Sequence, residues 1–310
     1  KMLGLAANDA ISSYFFGVVP LFVFMGFVVS ESGMGRDAFD VANAMFRRIK
    51  GGLGLGTIAA NTIFAAITGI SIASAAVFTK IAIPELVRHG YSQRFSLGVV
   101  AGSSVLGMLI PPSLLLILYG LLAEQSIGDL FLAGVGPGLL LACLFCIMTV
   151  VLAYLKPSEI GGHVDAQTAK VTHKELFYKG FPLSALIILV LGGIYAGIFT
   201  PVEAGAIGSL GALLIGLMKR SLSFSGLWRV LVETGLVTAA VCFLIIAAQM
   251  YSRMLSFSGL PGYFGELVAG AQLGLYGIIL IYIAVVVFFG MILDSSSIML
   301  ILVPLMVSLP

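Results

Sequence analysis

Hydroxyl residues and glycines gather at two places where a long apolar run is interrupted. Thr68, Gly69, Ser71 and Ser74 lie within Leu53–Val87; Gly102, Ser103, Ser104 and Gly107 lie within Leu97–Leu122, just ahead of Pro111-Pro112-Ser113. Glycine bares the backbone, proline withholds an N–H, and each hydroxyl adds an oxygen. Hard cations take oxygen ligands. Carbonyls ending a helix suit a cation, and N–H groups opening the next suit a carboxylate. Two such breaks side by side would hold Na+ on Thr68, Gly69, Ser71, Ser74, Gly102, Ser103, Ser104 and Gly107. An anionic solute would sit against Ser71, Ser104, Pro111 and Pro112. The competing reading is close helix packing by small residues. A third interruption, Gly290–Ser297, carries Asp294, which reads as an ion ligand, an N-cap or both at once. Ser295, Ser296 and Ser297 beside it are further substrate candidates. Asn61, about two turns before the first tip, reads as support for it. Glu203, after Thr200-Pro201, reads as an ordinary helix start.

Composition sets the class. The chain of 310 residues is 60% hydrophobic and 10% charged, against about 25% charged in soluble domains. An all-α polytopic membrane protein follows. The net charge of +2 does not point to nucleic acid, because the charges sit in loops. Cys143, Cys146 and Cys242 all fall in apolar runs and read as small buried hydrophobes rather than redox or metal ligands. No phosphate-binding Gly-Lys-Ser/Thr loop, intramembrane His/Glu cluster or regularly spaced Arg run is present. Transport energy would therefore come from an ion gradient or a partner. The chain starts at Lys1 and stops in an apolar segment, which reads as part of a longer protein.

An apolar span needs about 20 residues. Crossings are expected at Ile11–Val29, Leu97–Leu122 (broken), Leu130–Leu155, Leu183–Phe199, Val202–Met218 and Leu236–Leu255. Gly35–Lys50 interleaves apolar and charged residues at helical spacing, as an interfacial helix does, and Leu260–Ala269 is a weaker copy. Leu53–Val87 and Leu275–Leu309 each carry two short apolar arms around a polar tip, which predicts two re-entrant hairpins. That reading puts Arg36, Arg47, Arg48, Lys50, Arg88, Arg94, Lys156, Lys170, Lys174, Lys179, Lys219, Arg220 and Arg229 on one side. By the positive-inside rule this side is cytoplasmic. Arg253, and Lys1 depending on how the chain enters, fall opposite. Ser32-Gly33-Met34 matches Ser258-Gly259-Leu260, with a crossing before and a hairpin after each. The two units run in opposite senses, the layout of inverted-repeat transporters. Residues 1–155 form the first repeat, 156–180 a polar cytoplasmic linker, and 181–310 the second repeat, incomplete.

The stretches Gly102–Ser113 with Leu118-Tyr119-Gly120, Ser126–Gly134, Gly192–Ala204 and Ser32-Gly33-Met34 resemble the large membrane subunit of tripartite ATP-independent periplasmic (TRAP) transporters. The resemblance covers essentially the whole chain. It implies Na+-driven uptake of organic acids (C4-dicarboxylates, sialic acid, other sugar acids or keto acids) across the bacterial inner membrane by an elevator motion. It implies two partners: a periplasmic substrate-binding protein and a small four-helix membrane subunit, separate or fused. It also implies segments beyond both ends, including the second repeat's own broken helix, so the chain is expected not to transport alone. A binding-protein-independent Na+/dicarboxylate or citrate symporter of the same superfamily is the alternative. A membrane phosphatase would need acids clustered with Arg or His at depth, and a non-transporting scaffold would leave the polar tips without a purpose.

Overall fold

The computed structural model describes residues 12, 14–46, 48–160, 173–259, 263, 266, 270 and 274–307, and every regular element among them is helical. A 3-10 turn at Tyr14–Gly17 leads into α1 (Val18–Glu31). The chain then bends by 68° into α2 (Met34–Phe46), where Gly33 takes a left-handed φ of 74° at no steric cost. The stretch expected to be an interfacial helix is helical, with Met34, Ala38, Phe39 and Ala42 buried on one face. Next come α3 (Gly52–Thr68) and α4 (Ser71–Arg88), joined by only Gly69 and Ile70. The broken helix follows as α5 (Gln93–Ser104), α6 (Leu106–Leu109) and α7 (Leu114–Ala123), then α8 (Ile127–Leu155). After 161–172, α9 (His173–Ile187) runs on through a π turn to Tyr195. The rest is α10 (Pro201–Met218), α11 (Phe224–Ser258), α12 (Leu275–Gly290) and α13 (Ser295–Val307). Among the described residues, five stretches are long and apolar enough to cross a membrane: Gln93–Ala123, Ile127–Leu155, Lys174–Tyr195, Pro201–Met218 and Phe224–Leu255.

Three boundaries differ from expectation. The crossing placed at Ile11–Val29 has its α-helix over Val18–Glu31, and that helix reaches crossing length only together with the bent α2. The helix placed at Leu183–Phe199 already begins at His173, so residues 173–180 of the expected linker are helical and Pro182 lies inside the helix. Glu175 and Lys179, one turn apart, pair at 3.0 Å, which offsets their polarity in the first turns. The span placed at Leu236–Leu255 begins at Phe224, capped by Ser223. Of the expected interfacial copy at Leu260–Ala269 only Tyr263 and Glu266 are described, both helical; its other residues, the Leu260 end of the short repeat and the polar residues 161–172 lie outside the described residues.

Polar contacts show which helix ends share a face. Glu31 at the end of α1 meets Arg229 near the start of α11 at 3.4 Å, so these two helices run in opposite senses. Asp40 of α2 meets Lys179 of α9 at 2.8 Å, and Asp37 meets Lys219 just past α10. Lys50 stacks 5.1 Å from the ring centroid of Tyr154 near the end of α8. Ser92, between α4 and α5, bonds Glu159 through both backbone (2.8 Å) and side chain. Burial raises the pKa of the neighbouring Tyr91 hydroxyl, and hydrogen bonds from the backbone of Leu53 and Gly54 offset part of that rise. Hence α3 enters and α4 leaves at the same face, and their junction stops inside the bundle. The Thr68 carbonyl there packs against Gly26 of α1, where a Cβ would sit 2.8 Å from it.

Glycines allow this approach. On α8, a Cβ at Gly134 would lie 2.7 Å from the Leu109 carbonyl, and one at Gly138 2.7 Å from the Ile110 side chain. Much of the rest of α8 is outward-facing and apolar, including Leu132, Leu140 and Ile147. Cys143 shares that exposed surface, while Cys146 and Cys242 are half-buried, so Cys143 is not the buried residue expected. The surface is apolar because its solvent is lipid. Replacing Gly134 with Leu should destabilise the fold by about 1–3 kcal/mol through overpacking. Gly136→Ala, with nothing within 4 Å of its Cβ, should leave the melting temperature unchanged or raised. Thermal unfolding of both variants in mild detergent checks this.

Candidate functional site

The interruption in the second apolar run lies later than its glycines and serines suggested. Residues Gly102–Gly107 do not form a loop. Ser103 donates to the Val99 carbonyl at 2.5 Å and Ser104 to the Ala101 carbonyl at 2.8 Å, so both hydroxyl protons are used within the helix. Val105 keeps helical φ/ψ and bonds back to Gly102 at 3.2 Å. The backbone opens only at Ile110–Ser113. Pro111 and Pro112 have no N–H to return to the Gly107 and Met108 carbonyls. Ser113 meets part of that deficit by donating to Met108 at 2.6 Å. Its oxygen also accepts from Leu116 at 3.4 Å and caps α7.

The hairpin tip docks on this opening. Gly69 has φ 62° and ends α3 as a left-handed cap. Its carbonyl accepts from Leu114, the first residue of α7, at 3.1 Å. A Cβ on Gly69 would collide with the Pro112 carbonyl, and one on Gly107 would lie 3.1 Å from the Ser71 nitrogen. Thr68, Gly69, Ser71, Gly107, Pro111 and Pro112 are therefore brought together. Thr68 directs its hydroxyl back to Phe64 at 3.0 Å. Ser74 is fully buried, and its hydroxyl has no hydrogen-bond partner. Ser103 and Ser104 lie about a turn below Gly107, also buried. Gly102 does not join the group: a Cβ there would face Phe145 of α8 at 3.3 Å.

The second tip lies beside the first break. Ser295 donates to the Met108 sulfur at 3.7 Å. Asp294 is exposed and caps α13: one carboxylate oxygen accepts from the Ser296 and Ser297 backbones at 3.0 and 3.3 Å, the other from the Ser297 hydroxyl. That oxygen set is occupied by its own helix start. Glu203 forms a capping box with Thr200, at 2.8 Å to its backbone and 3.3 Å in return, as its position after Pro201 indicated.

Sequence reading missed Ser113, Gly26 and the Gly134/Gly138 pair. Ser before an apolar run is an N-cap signal, and Gly134-x-x-x-Gly138 is a close-packing pattern. Asn61 was noted, but its partner was not: it donates to Ser103 at 2.6 Å, entirely buried. A separate cavity of roughly 960 Å3 opens at the opposite end of the bundle, lined by Glu124, Asp129, Tyr195, Phe199 and Gln249 among others. It includes none of the site residues above. Among the described residues, no His, Cys, Asp and Glu cluster fits a metal ion.

Comparison with known proteins agrees with this architecture. The family described as tripartite ATP-independent periplasmic transporter, DctM component, matches residues 1–309. The chain belongs to this DctM family. It is 31% identical over 306 residues to the C4-dicarboxylate TRAP transporter large permease protein DctM of Pseudomonas aeruginosa, covering 98% of this chain and 71% of the relative. It is 34% identical to the ectoine TRAP transporter large permease protein TeaC of Halomonas elongata, over 92% of this chain and 66% of that protein. It is 29% identical to the sialic acid TRAP transporter large permease protein SiaM of Vibrio cholerae, over 93% and 67%. The DctM component is a transporter permease and not an enzyme.

Ser113→Ala removes both the cap of α7 and the partner of the Met108 carbonyl. It should cost about 1–3 kcal/mol, read as a lowered melting temperature in detergent, whereas Ser113→Thr, which keeps the hydroxyl, should lose far less.

Proposed function

We propose that this chain builds the translocation pathway of a Na+-coupled uptake system for a small organic anion in the bacterial inner membrane. One observation carries the reading. A hairpin tip and a Pro-Pro opening meet backbone to backbone inside the bundle, next to a buried hydroxyl, on Ser74, that has no partner. Bare backbone oxygens in an apolar interior cost several kcal/mol each unless something binds them. In this reading Na+ takes the Ser71 and Ser74 hydroxyls with carbonyls of the Gly107–Pro112 opening. The solute carboxylate lies between the two tips, toward Ser295–Ser297. Thr68 and Ser103 then shape the helices around the ion, and Asp294 holds the second tip in place.

The polar contacts described above support a two-part, elevator-type motion, because they sort into two sets. Glu31–Arg229, Asp37–Lys219 and Asp40–Lys179 join α1, α2, α9, α10 and α11 to one another. Ser92–Glu159, Asn61–Ser103, Gly69–Leu114 and Ser295–Met108 join α3–α8 and α13. Between the sets the contacts described are apolar or made by glycine, as at Gly26 and Gly35. The opposed senses of α1 and α11 fit an inverted repeat.

Substrate delivery by a periplasmic binding protein, with a small membrane subunit alongside, follows from the family. The relatives' names differ in solute (C4-dicarboxylate, ectoine, sialic acid), so the test uses a panel. The full-length membrane complex in proteoliposomes should take up one of these solutes only with an inward Na+ gradient and the cognate binding protein. Na+-dependent uptake without any binding protein would favour a simple symporter. Gly69→Ala, which drives a methyl into the Pro112 carbonyl at a left-handed position, should abolish uptake while the complex still assembles. Gly102→Ala should retain most activity. Equal activity of both variants would remove the site assignment.

A further inference from the structure

We infer that Asn61 is a positioning residue for the ion site, acting through Ser103; this rests on the Na+ reading above. Asn61–Ser103 is a side-chain pair buried out of reach of solvent, and it links the first arm of the hairpin to the first half of the broken helix. The orientation of the amide follows from its partner. Ser103 has one proton, and it goes to the Val99 carbonyl. Its oxygen can only accept, so Asn61 presents Nδ2 to it and turns Oδ1 away. Oδ1 is buried with no hydrogen-bond partner.

A bare amide carbonyl in an apolar interior is costly. Packing alone would be served better by a leucine of similar volume. The bond lies where it can set geometry. Ser103 is four residues before Gly107 and shares its helix face. Gly107 is the residue whose backbone lies against Ile70 and Ser71. Asn61 is seven residues before Thr68, again on one face. The pair is therefore a second fastening on the seam whose upper end is the Gly69–Leu114 bond. One fastening on each side of the opening, Asn61–Ser103 on α5 and Gly69–Leu114 on α7, sets how the broken helix lies against α3. Together they hold the Gly107–Pro112 carbonyls at the right distance from the Ser71 and Ser74 hydroxyls.

The test uses the full-length membrane complex in proteoliposomes, with the Na+ concentration for half-maximal uptake and the unfolding temperature measured on the same preparations. Asn61→Leu should raise the required Na+ about tenfold, the equivalent of about 1.4 kcal/mol, without lowering the unfolding temperature, because the bare carbonyl goes with the bond. The exchange Asn61→Ser with Ser103→Asn, which restores the pair in reverse, should return the Na+ requirement to within about threefold of the wild type. Should Asn61→Leu fail to fold, Ser103→Ala and the exchange carry the same comparison. An unchanged Na+ requirement in Asn61→Leu or Ser103→Ala overturns the inference. So does a fall in unfolding temperature and uptake together with no recovery of Na+ affinity in the exchange, since that is a packing role. Wild-type uptake indifferent to Na+ removes the ion reading itself, and is told apart by needing no variant.

Discussion

A backbone bond from Leu114 to the carbonyl of Gly69 joins two of the places where, among the described residues, this chain stops being helix inside an apolar bundle. Along most of their length the spans satisfy their own peptide groups, as a hydrocarbon environment demands. At the Pro-Pro opening and the hairpin tip they cannot, and each helps meet the other's deficit. The rest of the arrangement follows. The tip must come close, so Gly69, Gly107, Gly26 and Gly134 carry no side chains. α7 must start afresh, so Ser113 caps it. The seam below must be held in register, so a polar pair lies in an otherwise apolar interface.

Electrostatics works at the other extreme, where water is near. The three ion pairs that link α1 and α2 to α9, α10 and α11 are partly exposed, and pairs of that kind contribute little each. Their value is in arrangement. They tie α2 to the ends of the long spans around it. The hairpin and broken helix bond among themselves and meet α1 and α2 closely at glycines such as Gly26, Gly35 and Gly56.

Much of this architecture was legible in the residues. Apolar runs, the charge-interleaved stretch 35–50 and two paired short arms gave the helices, the bend and the hairpin with its Gly69 tip. The distribution of Lys and Arg gave the common face. The site was half legible. The tip and the Pro-Pro opening were plain, but Gly102–Ser104 were read as the loop of the break, and they continue the helix instead, with the Ser103 and Ser104 hydroxyls donating to the preceding turn. Composition cannot distinguish a serine bonded to its own helix from one presented to a ligand. Asp294 was ambiguous for the same reason: one carboxylate serves as cap or ligand, and only geometry separates the roles. The early start of α9 was hidden by its polarity, which the ion pairs of Lys179 with Glu175 and Asp40 offset.

The bend between α1 and α2 also relates the molecule to bilayer thickness. Were α2 to lie flat at the interface, tied by Asp37 and Asp40 to two neighbouring spans, it would act as a waterline, fixing how deep that edge of the bundle floats. Thickening or thinning of the hydrocarbon layer would then leave this side little freedom to tilt, and mismatch of a fraction of a kcal/mol per ångström would be taken up elsewhere. On the pathway proposed above, lipid composition would bear on transport through the hairpin and the broken helix, which carry no such float.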